Sequence, residues 1–192
     1  MAADPPIISF PTAKDFESWL TRNHGDQLGI WLKIAKKSGD PEALDYQQAL
    51  EVALCFGWID GQKKSFDATA WLQRFTPRRP RSRWSKINRT KAEALLAAGR
   101  MTEPGLREVE AATADGRWER AYEGQATATV PPDLQAALDE NPAAAAFFAT
   151  LKGPNRYAIL YRLHDAKRPQ TRQARLDKFV DMLARGETIF PA

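Results

Sequence analysis

The chain has one cysteine, Cys55, in 192 residues, and two histidines, His24 and His164. A single thiol excludes an intrachain disulfide and any zinc site built on cysteines. Long apolar runs are also missing. The longest, AAAAFFATL at 143–151 (counting Thr150), is about half of the ~20 residues that a membrane span needs. The start, MAADPPIISF, has neither the basic n-region nor the apolar core of a signal peptide, so the expected compartment is the cytoplasm. Phosphate-loop, dinucleotide-fold, zincin and serine-hydrolase motifs are all absent. No carboxylate spacing points to a metal, and the expectation is a chain without metal or cofactor. Cys55 sits in the apolar run ALEVALCFG, where a thiol is ordinary core filling.

Charge is present, and it is unevenly spread. The formal net charge is only +4, yet residues 72–91 hold eight basic residues and no acid. Residues 152–185 hold nine basic residues against three acids, so the remainder is net acidic. Such a distribution fits either an anionic partner or internal charge pairing.

Periodicity predicts an α+β fold: a small, mostly antiparallel sheet packed with helices over residues 1–125, a linker at 126–133, and a helical segment over 134–187. Residues 7–10 read as a short strand. Thr12 with Asp15 forms a capping box ahead of a helix bearing Phe16, Trp19 and Leu20. LGIWLKIAKK alternates, placing Ile30, Leu32 and Ile34 on one strand face. SGDPEA reads as a loop, and Asp45 with Gln48 caps a buried helix that Gly57 stops. Strands at about 58–66 and 70–76 make a hairpin, with a bulge suggested at Gly61. Helices follow from Ser85, with Ile87, Ala94, Leu95 and Ala98 as one face, and from Glu103. ATATVPPD has linker composition, and Asn141-Pro142, Pro154-Asn155 and Pro169 start further helices.

The candidate site is the acid-free stretch RFTPRRPRSRWSKIN, residues 74–88. Its arginines and lysine (Arg74, Arg78, Arg79, Arg81, Lys86) surround prolines that hold the chain extended, which lowers the entropy cost of ordering them. Ser85 caps a helix whose first turn contains Lys86. Positive side chains oppose the macrodipole there, and an anion between them and the free N–H groups relieves the conflict. Trp84 either stacks on a ligand or fills the core. In FGWIDGQKK, Trp58 and Asp60 flank the same corner, and a hairpin places Asp60 opposite the Pro77 region, near Arg74 and Arg78. Asp60 then either fixes the hairpin by an ion pair or aims an arginine at a ligand. Internal pairing with the acidic remainder is the competing account of the arginines.

The segments ALCFGWIDGQ, RFTPRRPRSRWSKIN and GRMTEPGLREVEAA, with the tail LYRLHDAKRPQTRQARLDKFVDMLARGE, resemble the bacterial YdeI/OmpD-associated, or bacteriocin-protection, family over about residues 7–187. The resemblance implies envelope stress, tolerance of bacteriocins or cationic antimicrobial peptides, and association with an outer-membrane porin. It carries no reaction, cofactor or catalytic residue. A cytoplasmic role upstream of the envelope fits better than direct porin contact.

Together these observations favour a non-enzymatic binding protein whose partner is a small anionic ligand or an acidic protein. Two alternatives remain: a nucleic-acid-binding module, or an enzyme on a small anionic substrate with Asp60 or His164 as base. Lys167, Arg168, Arg172 and Arg175 present either a basic face to an acidic partner or an ordinary solvated surface.

Overall fold

A computed structural model describes residues 4–36 and 44–191. The expected SGDPEA loop lies outside the described residues. The chain divides into two compact units, Met1–Ala121 and Tyr122–Ala192.

In the first unit, β1 (Ile7–Ile8) precedes α1 (Ala13–Asn23), β2 (Ile30–Ala35), α2 (Tyr46–Cys55), β3 (Trp58–Ser65), β4 (Ala70–Pro77), α3 (Lys86–Ala97) and α4 (Glu103–Ala114). Both predicted capping boxes form, at Thr12 with Asp15 and at Asp45 with Gln48. The sheet order is β1-β2-β4-β3. It is mixed, because β1 runs parallel to β2 while the other two pairings are antiparallel. The α+β class and the expected mostly antiparallel sheet are both present, with the short β1 as the parallel member.

Register positions the hairpin. Trp58 pairs with Pro77, Asp60 with Phe75 and Ser65 with Trp71, and the register shifts between Asp60 and Lys63. That shift is the bulge expected at Gly61. The buried Gln73 amide fills it, donating to the carbonyls of Gly61 at 2.9 Å and Gln62 at 3.3 Å. Pro77 is tolerated at the end of a central strand because β2 pairs with β4 only as far as Phe75. The core gathers Phe16, Leu20, Ile30, Leu32, Leu50, Leu54, Trp58, Phe75 and Trp84. Each such side chain contributes about 1.5–3 kcal/mol by leaving water.

Of the expected face of α3, only Leu95 is buried. Asn88, Ala92 and Leu95 face inward, while Ile87, Ala94 and Ala98 are exposed. A polar residue occupies the first inward position, so a search for apolar periodicity settles on the wrong stripe.

The second unit is helical: α5 (Pro132–Asp139), α6 (Pro142–Thr150), α7 (Gly153–Asp165) and α8 (Pro169–Ala184). Helix α5 begins inside the stretch of linker composition, since Pro132 is an apt first helical residue and Leu134 and Leu138 are buried. Leu134, Phe148, Ile159, Leu163, Phe179 and Leu183 belong to this unit's own core. Among the described residues no helix is long and apolar enough to cross a membrane.

Candidate functional site: the basic turn between strand β4 and helix α3

After Pro77 the chain leaves the sheet. Its next residue is buried: Arg78 is 5% exposed and its guanidinium carbon lies 3.5 Å from the centre of the Trp84 ring. Arg78 Nη1 donates to the carbonyl of Arg83 at 3.1 Å. Arg117, also buried, donates from Nη1 to the carbonyl of Ser82 at 2.6 Å while its Nε grips both oxygens of Asp115 at 2.7–2.8 Å. Trp118 meets Trp84 edge-on, with ring centroids 4.8 Å apart.

Two consecutive carbonyls of the loop are thus fastened inward by arginines. Above them, Ser82 donates its N–H to the Arg79 carbonyl at 2.9 Å, closing a tight turn over Pro80 and Arg81. Arg81 has φ 65°, the left-handed region. Proline at the second position with positive φ at the third defines a type II turn, where glycine or asparagine is usual. Arg79, Arg81, Arg83 and Lys86 are exposed, so the outward side of the turn is cationic. Ser85 caps α3, accepting from the amide of Asn88 at 3.1 Å.

The remaining predicted residues serve elsewhere. Arg74 donates to the carbonyls of Leu28, Ile30 and Phe75, the last two at 2.8 and 3.0 Å. Burial first, then the charge of Arg79, lowers its pKa. Trp58 is wholly buried, and its Nε1 donates to the carbonyl of His24 at 2.8 Å.

The register corrects the expected position of Asp60. It pairs with Phe75, so it shares the helix-side face of the sheet while Arg74 points the other way. Asp60 accepts from the Tyr46 hydroxyl at 2.9 Å and the Asn88 amide at 3.4 Å. Burial, followed by the Asp60 charge, pushes the Tyr46 pKa upward. Sequence reasoning missed Tyr46, Asn88 and Arg117. Asn88 as the inward residue opening α3 is the one signal that was available.

In the second unit, two residues of the expected basic face are engaged internally. Arg172 grips Asp133 through Nε and Nη2 at 2.6 and 2.8 Å and donates to the Leu163 carbonyl. Arg175 lies 3.7 Å from Asp165. Lys167 and Arg168 are exposed, and His164 sits exposed in the last turn of α7. Among the described residues no three His, Cys, Asp or Glu side chains group closely enough to hold a metal ion.

An α+β unit bearing a braced cationic turn, followed in sequence by a four-helix unit, defines the class. Residues 8–108, more than half of the chain, match the model described as Domain of unknown function (DUF8412). Residues 127–186 match the one described as Bacteriocin-protection, YdeI or OmpD-Associated. The chain belongs to the first family, and its residues 127–186 are similar to the second. ALCFGWIDGQ and RFTPRRPRSRWSKIN, with the basic turn, fall within the first match, and GRMTEPGLREVEAA runs past its end. No curated protein and no solved structure matches the chain significantly.

Proposed function

We propose that this is a cytoplasmic, non-enzymatic binding protein whose basic turn engages an anionic group on a small ligand or an acidic protein. The observation that carries this reading is the braced turn itself. Arg78 and Arg117 hold its carbonyls inward, and Arg81 is displayed at a left-handed position that a side chain does not prefer. A cation kept at a backbone cost, in a stretch without acids, is a reason to look for its counter-charge outside. Arg79, Arg81 and Lys86 are the contact residues on this reading, with Ser85 and the first turn of α3 beside them. Trp84 and Arg78 form the floor, and Trp58, Asp60 and Arg74 fix the hairpin corner below. The description of the C-terminal family supports a part in bacteriocin protection, exercised from inside the cell.

A thermal-shift screen of phosphorylated metabolites, acidic peptides and polyanions tests it. A ligand at 100 times its Kd stabilises the native state by about 2.7 kcal/mol. That amounts to several degrees. The shift should vanish in Arg79→Ala/Arg81→Ala protein, whose own Tm should be nearly unchanged. A screen with no hit, or an equal shift in the variant, defeats the reading.

A further inference from the structure

The β3–β4 hairpin has a second cationic end, away from the basic turn. Trp58 pairs with Pro77 at one end and Ser65 with Trp71 at the other, so at about 3.3 Å per residue the ends are roughly 20 Å apart. At this far end Lys36, Lys63, Lys64, Ser65 and Trp71 line an open cleft of about 470 Å³. The Lys63 ammonium lies 4.0 Å from the centre of the Trp71 ring, and the Lys64 ammonium 4.0 Å from that of Trp31. Lys36 Nζ donates to the backbone carbonyl of Asp67 at 2.7 Å.

The carboxylate of Asp67 is committed to its own turn. One oxygen accepts from the amide and hydroxyl of Thr69 and the amide of Ala70 at 2.7–2.8 Å. The other lies 3.4 Å from Lys33. Lys63 and Lys64 therefore rest on aromatic faces where a carboxylate would be the stronger partner.

We propose that this cleft binds a nucleotide unit, with the base stacked on the Trp71 indole in place of the Lys63 ammonium and the phosphate held by Lys36 and Lys63, while Lys64 stays on Trp31 across the sheet. An exposed ammonium on an indole is a weak contact, and a stacked base is a stronger one. The displaced ammonium rides on a flexible four-carbon stem and still reaches a phosphate beside the ring. The cleft's volume lies within the range of small-ligand sites. Being open, it also admits a base whose backbone continues past it, so a free nucleotide and a residue of a single strand share the chemistry it recognises. A duplex keeps its bases stacked inside and does not fit. Stacking reads every base face alike, so base preference should be slight.

The test uses the full chain, with a fluorescein-labelled oligothymidine of about eight nucleotides followed by anisotropy. AMP, UMP and inorganic phosphate are titrated by calorimetry. Binding should weaken roughly ten-fold or more in Trp71→Ala. It should also weaken in Lys63→Glu, which changes one exposed side chain, and stay unchanged in Lys64→Glu on the other face of the sheet. If Lys63 neutralises about one phosphate, the strand's log–log salt slope should flatten by about 0.7 in Lys63→Glu. The Arg79→Ala/Arg81→Ala protein should bind as the parent does, which separates this site from the basic turn. Binding of the strand alone, or of the mononucleotides alone, identifies the source and supports the site. Full affinity in Lys63→Glu, inorganic phosphate binding as tightly as AMP, or no binding of any nucleotide overturns it.

Discussion

The Arg78 guanidinium is stacked 3.5 Å from the centre of the Trp84 ring, and both side chains are almost wholly buried. A buried cation on an indole, also bonded to the Arg83 carbonyl, is a packing element as much as a charge. Lysine cannot reproduce it, because it lacks the planar face that stacks and the fork that reaches the carbonyl. Arg78→Lys should destabilise the first unit by about 1–3 kcal/mol, as for a lost buried hydrogen bond. Urea unfolding measures this. Trp84→Ala should cost about 3–5 kcal/mol. Trp84→Phe should cost clearly less, since the Trp84 Nε1 has no hydrogen-bond partner to lose. Equal losses in the two tryptophan variants would refute the packing account.

At Arg81 fold and ligand pull apart. With φ 65°, the position favours glycine by about 1 kcal/mol or more. Arg81→Gly should therefore raise Tm while weakening the anion response of the basic turn. Arg81→Ala, which keeps the Cβ, should leave Tm nearly unchanged and weaken the anion response alike. Thermal melts with and without the best anion from the screen separate the two effects, and an unchanged anion response in Arg81→Gly would remove Arg81 from the contact set.

What the sequence made legible was local. Capping boxes depend on residues three apart, the alternation of β2 on residues two apart, and the bulge on one glycine; all were readable and all are present. The site's interior was not, because its contacts join distant segments. Arg74 binds carbonyls of Leu28 and Ile30, and Arg117 reaches back to Ser82. Asp60 was misplaced by a matter of face. Opposite Phe75 it turns toward α2 and α3, while its neighbour across the strand pair, Arg74, turns away.

Gly105 should be the costlier of two glycines to change. A Cβ there would meet the Cys55 carbonyl oxygen at 2.2 Å, a backbone atom that cannot step aside without moving α2 against α4. At Gly99 nothing lies within 4 Å, and only its φ of 66° resists a side chain. Gly99→Ala should cost about 1 kcal/mol. Gly105→Ala should cost about 3 kcal/mol, as for severe overpacking. Denaturant midpoints of the pair decide, and comparable values would contradict the close approach.

The Cys55 thiol should be inert in the native state. Burial pushes its pKa up to about 11, against the lowering influence of Arg100, so little thiolate exists at pH 8. Labelling with a maleimide or a chromogenic disulfide should be slow in buffer and fast in denaturant, and its native rate should track unfolding. Rapid native labelling would mean that α2 opens locally.

In the second unit, the Asp133–Arg172 pair sets a dependence on acid. Two hydrogen bonds from Arg172 hold the Asp133 carboxyl below its ordinary value of 3.8, with burial opposing them. A carboxyl whose pKa is depressed in the folded state binds protons more weakly there than when unfolded. Its contribution is therefore complete above the ordinary value and fades as pH falls through about 4 toward the folded value. Both side chains are about a third exposed, so screening keeps the pair's worth to about 1 kcal/mol. Asp133→Asn should lower Tm at pH 7 and leave a much smaller difference at pH 3, and Arg172→Ala should erase the effect of Asp133→Asn. Melts of the four proteins at both pH values complete the cycle. A difference between parent and Asp133→Asn that persists undiminished at pH 3 would show that the carboxylate's charge is not what Arg172 holds.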